Sequence, residues 1–187
     1  MARMSADLLG LARGDAGAPL DVGEINWDAF VAEIGHDASR ICGPRRVTVF
    51  DAPQLLGTGT GDEAALRRAF RVLFDNVARH TPPSAEVQLR AVASGSGDEI
   101  RISVSDTGPG VDRDDLPRIF DRFFRADPSR QGRGAGLGLA IARSVIERHT
   151  GELTARNRQP HGLIVEARLP REQEAAAALE PGQLITP

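Results

Sequence analysis

Two runs of strict two-residue alternation, one on each side of a glycine-rich turn, constrain this chain more than any other feature. Val87, Leu89 and Ala91 alternate with Glu86, Gln88 and Arg90, and Ile100, Ile102 and Val104 alternate with Arg101, Ser103 and Ser105. Successive side chains of a strand point to opposite faces, so each run has one apolar and one polar face. Gly95, Ser96 and Gly97 provide the turn of a hairpin between them. Only one face of such a pair needs a cover, and the same period carries Asp106 to that inward face.

The cover comes from helical stripes. Leu66, Phe70, Leu73 and Val77 predict an amphipathic helix over 62–80, with Asn76 just off the apolar stripe. Leu137, Ile141 and Val145 predict another over 135–149, ended by Gly151 in a left-handed cap position. Asn26 or Asp28 can cap a helix through Phe30, Ile34 and Ile41. Residues 152–156 and 162–169 complete the sheet, the last run alternating Leu163, Val165, Ala167 and Leu169. The expected fold class is α/β (α+β): a two-layer sandwich with a mixed, largely antiparallel sheet, helices on one face and solvent on the other.

Outside this unit, Met4, Leu8 and Leu11 predict a short helix over 4–13, followed by a Gly/Ala/Pro linker. The expected organisation is an N-terminal helix and linker at 1–20, one compact domain at 21–170 and a loose tail at 171–187. No apolar run approaches the roughly 18 to 20 residues needed to span a bilayer, and no secretory signal opens the chain, so a cytoplasmic location is expected. Cys42 is the only cysteine, which excludes a disulfide framework. The net charge is −3, and all 23 basic residues are arginine, so no basic, aromatic-studded stripe points to nucleic acid. Arginine as a class therefore carries little functional information here.

Four short motifs carry the chemistry. They are Asn76 in Leu-Phe-Asp-Asn-Val-Ala-Arg-His-Thr-Pro, Asp106-Thr-Gly-Pro-Gly110, Ile119-Phe-Asp-Arg-Phe-Phe124, and Gly132-Arg-Gly-Ala-Gly-Leu-Gly-Leu139. A carboxylate at an inward strand end needs a donor, and a purine amino group passing over Gly108 and Gly110 supplies one. That pairing favours adenine over guanine. Asn76 offers a neutral amide oxygen suited to a magnesium ion that also takes phosphate oxygens. The Gly134-Ala-Gly-Leu-Gly138 turn runs straight into a helix, whose N–H groups can hold a polyphosphate. Arg79, Arg122, Arg125 and Arg133 can add positive charge. Taken singly, each has a plainer reading: a turn, a solvated helix flank, a loop before a helix, and phenylalanines that pack a long loop over 107–134. No Gly-x-x-x-x-Gly-Lys-Ser/Thr loop is present, which excludes a P-loop ATPase.

Together and in this order, the motifs resemble the N, G1, F and G2 boxes of sensor histidine kinases, within the wider ATPase family of gyrase B, Hsp90 and MutL. The resemblance covers residues 21–170 and implies a Bergerat-type fold with a long ATP lid. It implies that ATP and Mg²⁺ are the cofactors, with Asn76 on the metal, Arg79 and His80 beside the nucleotide and Asp106 on adenine. Gly108 and Gly110 would shape the base pocket, and Phe120 and Phe124 would steady the lid. Arg133, Gly134, Gly136, Leu137 and Gly138 would hold the phosphates. The chain departs from the family at Val72, where many members have Asn and the hydrolytic ones a Glu that activates water, and at Ala135, where a hydroxyl residue is common. Arg79 and His80 replace the usual Lys and Tyr. Valine cannot act as a base, which favours phosphotransfer over an ATP-driven clamp.

The family's phosphoacceptor is a histidine on a preceding helical hairpin. His36-Asp37 matches it superficially, but lies inside the first helix of the ATP domain and lacks the basic residue and proline that follow. His80, His149 and His161 read as local structure. The expected activity is therefore histidine kinase, with transfer to a histidine on a separate helical acceptor protein and then to a response regulator, without nucleic-acid binding or membrane insertion. The remaining readings are the ATP-binding half of a longer self-phosphorylating sensor kinase, an anti-sigma-type serine kinase, and a nucleotide-binding regulator without catalysis.

Overall fold

The computed structural model describes residues 19–50, 55–94, 97–125 and 135–171. The expected helix over 4–13, turn residues Gly95 and Ser96, Arg133, Gly134 and the tail beyond Arg171 lie outside the described residues. Three helices stand over one face of the larger of two sheets: α1 (Trp27–Ile41), α2 (Glu63–His80) and α3 (Gly138–Arg148). That sheet contains β2 (Arg46–Phe50), β4 (Glu86–Ala93), β5 (Glu99–Asp106), β7 (Leu163–Pro170) and β6 (Glu152–Asn157), in the spatial order β2-β4-β5-β7-β6. The β2–β4 pair is parallel and the others antiparallel, the mixed sheet expected. A separate two-stranded antiparallel sheet joins β1 (Gly23–Asn26) to β3 (Thr58–Gly61).

The hairpin forms in the register its alternation requires, with Leu89 opposite Val104 and Ala91 opposite Ile102. Leu89, Ile100 and Ile102 are fully buried under α1 and α2. Phe30 of α1 meets Phe70 of α2 edge-on, their centroids 5.9 Å apart, and Trp27 stands edge-on to Phe30 at 5.7 Å. Losing such a buried aromatic costs about 3 to 5 kcal/mol. A Cβ on Gly35 would lie 2.8 Å from Val49 Cγ2, so α1 sits directly on β2. Cys42 is buried beneath α2, and burial pushes its thiol up to about 11, away from redox reactivity.

Helix starts follow their caps. Asn26, rather than Asp28, accepts from Ala29 N at 2.9 Å, and Asp62 accepts from Ala65 N at 2.8 Å. Asp28 instead accepts from Leu56 N and Gly57 N, tying α1 to the approach to β3.

Two expectations about α3 and one about the sheet need correction. The helix begins at Gly138 rather than Ala135, because Gly136 has φ 70° and cannot lie within a right-handed helix. At its other end the left-handed residue is Thr150, at φ 55°, not Gly151. Thr150 N donates to Glu147 O and Gly151 N to Ile146 O, the two bonds of a Schellman cap. Gly151 is needed for space: a Cβ there would lie 2.4 Å from Arg168 O. The sequence reading places no strand before Glu86, whereas β1, β2 and β3 precede it. They are short, and their partners are distant in sequence.

Candidate nucleotide site

The last turn of α2 and the end of β5 bound a cleft of about 470 Å³, lined by Arg79, His80, Thr81, Pro82, Thr107, Gly108 and Pro109. Asn76 is half-buried one turn earlier, on the same helix flank as Arg79 and His80 by the three- and four-residue spacing. Arg79 lies 3.9 Å from Asp75 in an exposed ion pair.

Asp106 lies beneath the cleft rather than on its wall. It is 5 % exposed, and its Oδ1 accepts from Gly108 N at 2.7 Å and from Leu163 N at 3.4 Å. Among the described residues, no hydrogen bond reaches Oδ2. Burial raises the carboxyl above its ordinary range, while the Gly108 and Leu163 amides and the nearby charges of Arg158 and His80 pull it back. Oδ2 is not among the buried polar atoms left without a partner, so it stays accessible to water or to a ligand donor.

The loop after Asp106 is held from several sides. A Cβ on Gly108 would stand 2.6 Å from Thr81 Cγ2 and 2.8 Å from Asp106 Oδ1. Gly110 has φ 75° and abuts Asn157, whose side chain accepts from Val111 N at 2.9 Å and donates to Val111 O at 2.6 Å. From the β6–β7 turn, Gly162 comes so near Asp106 that a Cβ would lie 1.9 Å from the Asp106 carbonyl oxygen. Asn157, Gly162, Leu163, Thr81 and Arg45 were not candidates from sequence. Gly162 at the head of an alternating strand was the one local signal; the others act through contacts distant in the chain.

On the lid side, a short 3₁₀ turn at Leu116–Arg118 leads to the phenylalanine motif. Phe123 N donates to Gly136 O at 2.8 Å, and a Cβ on Gly136 would lie 2.7 Å from Phe124 O. The two lid ends are thus joined through backbone. Gly138 opens α3 against Val72, whose Cγ1 would be 3.1 Å from an added Cβ. Val72 thus makes a packing contact with the start of α3. Arg143 stacks over Phe120 at 5.8 Å and Arg118 over Phe124 at 4.8 Å. Phe120 lines a second hollow of about 300 Å³ with Leu116, Pro117 and residues of α3 and β6. Phe123 is 66 % exposed at φ 64°. Its left-handed backbone turns the ring outward.

The neighbouring histidines are structural in their contacts. His149 is 1 % exposed; its Nδ1 meets Val145 O at 2.8 Å and its Nε2 accepts from Asp62 N at 2.9 Å, which makes it a neutral pin between α3 and α2. His36 is exposed on α1, while Asp37 beside it is buried and bonded to Arg67 Nε at 2.8 Å. The Arg67 bond holds the Asp37 carboxyl below its ordinary range.

The sequence profile of the Histidine kinase-, DNA gyrase B-, and HSP90-like ATPase family matches residues 61–173, more than half of the chain. The chain belongs to this family. It is 39 % identical to the Phosphate regulon sensor protein PhoR of Pseudomonas aeruginosa over 82 % of its length and 35 % of that protein's. A mycobacterial sensor histidine kinase MprB structure, 25 % identical, superposes with a TM-score of 0.67 over 80 % of this chain and 99 % of that one. Full-length ShkA in complex with AMPPNP, 27 % identical, superposes at 0.74 over 87 % of this chain and 34 % of that one. The chain spans between about a third and a half of the length of the curated relatives it matches. Among the described residues, no helix is long and apolar enough to cross a membrane.

Proposed function

We propose that this chain binds Mg·ATP in the cleft between α2 and the end of β5 and transfers the γ-phosphoryl group to a histidine of a separate helical acceptor protein. The observation that carries this reading is the buried Asp106 carboxylate, with Oδ1 held by two backbone amides and Oδ2 left for a ligand donor. The adenine 6-amino group matches that acceptor; guanine, with an acceptor at the same position, does not. Gly108 and Gly110 shape the base pocket by letting the loop close on Thr81 and Asn157, and Arg79 and His80 flank it. The amides of Gly136, Leu137 and Gly138 at the α3 N-terminus hold the phosphates, and Gly134 and Arg133, just ahead of them in the sequence, add an amide and a positive charge. Phe120 and Phe124 act on the lid through their stacking with Arg143 and Arg118, not by touching nucleotide.

The donor set suits a magnesium ion that arrives with the nucleotide. Asn76, half-buried on the flank of α2, would hold the ion through its amide oxygen, a hard neutral ligand of the kind Mg²⁺ takes beside phosphate oxygens. When bound, the ion neutralises charge on the β- and γ-phosphate oxygens. The chain's own groups orient the nucleotide in line with the acceptor. The bond from γ-phosphorus to the bridging oxygen breaks and ADP departs with its electron pair. A bond from phosphorus to an imidazole nitrogen forms, and the imidazole proton passes to an acidic residue of the acceptor. Val72, packed against α3, leaves water without a base at the family's hydrolytic position.

Phosphohistidine then supplies a response regulator's aspartate, and the cytoplasm is the compartment that holds ATP and such partners. The greater length of the curated relatives supports a second reading, in which the same site belongs to a longer self-phosphorylating sensor kinase. Incubation of the chain with γ-³²P-ATP and an added helical acceptor tests the transfer reading. Acid-labile, base-stable label on an added helical acceptor, with none on the chain itself, supports the first. Stable label at His36 would overturn it.

A further inference from the structure

We propose that Arg45 is a positioning residue that sets the base-binding cleft by locking Thr81 against Gly108. The C-terminus of a helix leaves carbonyl oxygens without partners, and the last turn of α2 is also the wall of the cleft. Arg45, just ahead of β2, serves that turn with nearly its whole guanidinium. Its Nη2 donates to Ala78 O at 2.8 Å and also to Thr81 O, its Nε donates to Thr81 Oγ1 at 2.8 Å, and its Nη1 donates to Cys42 O at 2.9 Å. Thr81 Oγ1 donates in turn to Val77 O at 2.8 Å. Hydroxyl and carbonyl are both engaged, so the threonine has one orientation, with 8 % of its surface exposed.

That orientation presses the Thr81 methyl on Gly108, leaving no room for a side chain there. Gly108 N is the 2.7 Å donor to Asp106 Oδ1. A continuous route of contacts therefore runs from Arg45 through Thr81 and Gly108 to the carboxylate. Thr81 and Gly108 line the cleft; Arg45 does not. Lysine has a single nitrogen and cannot make four bonds in three directions, so charge alone does not replace the planar fork. The inference rests on the proposed nucleotide site, because the route ends on the residue assigned to adenine.

Calorimetry with Mg·ATP and Mg·GTP tests it, alongside Tm, on the whole chain. Arg45→Ala should weaken ATP binding about 10-fold with GTP binding nearly unchanged, so that base selectivity shrinks by the same factor. Arg45→Lys should recover little of it. Thr81→Ser, which keeps the hydroxyl and removes only the methyl, should fold as the parent does and lose about 3-fold in ATP affinity. The double variant Arg45→Ala/Thr81→Val should bind no more weakly than the worse single variant, because both break one route. A fall in Tm with ATP affinity and selectivity intact would make Arg45 a structural clip and overturn the proposal, and so would a Thr81→Ser variant with parental affinity. Hydrogen exchange without nucleotide separates this idea from the functional reading beneath it. Gly108 N–H should exchange faster in Arg45→Lys and Thr81→Ser whether or not the parent prefers ATP, and unchanged protection would sink the positioning role alone.

Discussion

At the strand end of the site, Asp106 is buried, its loop is tied by Gly108, Asn157 and Leu163, and Gly162 closes against its backbone. At the lid end, Phe123 projects into solvent from a left-handed backbone, and Phe124 is held by an exposed arginine that also pairs with Asp121 at 3.7 Å. The first region is assembled before any ligand arrives and stores the desolvation of a charge. The second relies on surface contacts, each worth little in water. The strand end is thus fixed by buried contacts, while the described phenylalanines of the lid side rest on surface ones.

The sharpest way to break that contrast is Gly162→Ala. With φ 115° and a Cβ 1.9 Å from Asp106 O, the strand end has no space for a methyl. The expected loss is about 4 kcal/mol or more, seen as a Tm lower by about 10 °C or more. A variant as stable as the parent would mean that the strand end is as pliable as the lid.

Asp106→Asn comes next and separates function from stability. Because burial raises the carboxyl of Asp106, its favourable contribution is complete below its ordinary value of 3.8 and is lost as pH rises through the higher folded value. At neutral pH the ionised group is a burden on the free protein. The amide should therefore leave Tm unchanged or raise it, while ATP affinity measured by calorimetry falls about 10- to 100-fold. A lower Tm with full affinity would reverse the assignment.

His149 gives a smaller effect with the opposite pH dependence. Burial lowers its pKa below 6.5, so the stability of its neutral pin is complete above that value and drains away as pH falls through the folded value. Thermal scans from pH 7.5 to 5 should show a decline that His149→Gln flattens; parallel declines in both proteins would place the acid sensitivity elsewhere.

The smallest stability change belongs to the lid. Phe123→Gly removes an exposed ring and relieves a left-handed backbone, so Tm should hold or rise by the equivalent of up to about 1 kcal/mol. Transfer to the acceptor should nevertheless slow with ATP affinity kept, if the ring is a docking contact. Equal transfer rates would remove Phe123 from the partner surface.

The pattern of legibility follows from range along the chain. Periods of two and of three to four residues are properties of neighbours in sequence, so the hairpin at 86–106, the helices carrying Leu66 to Val77 and Leu137 to Val145, and the inward direction of Asp106 are all legible in the sequence. The order of the four motifs was equally visible, and it pointed to the family that the profile match later established. Residues that act by meeting a distant segment left no such trace. Arg45 was one arginine among 23, and its importance lies in where the α2 carbonyls stand, 33 and 36 residues away. Asn157 clamps Val111 across 46 residues, and Gly151 owes its identity to a neighbouring strand's carbonyl rather than to its own φ. Side-chain periodicity is imposed by local backbone geometry and is written into the sequence. Which polar group completes which other one is decided only when packing brings them within about 3 Å, the distance over which a hydrogen bond acts.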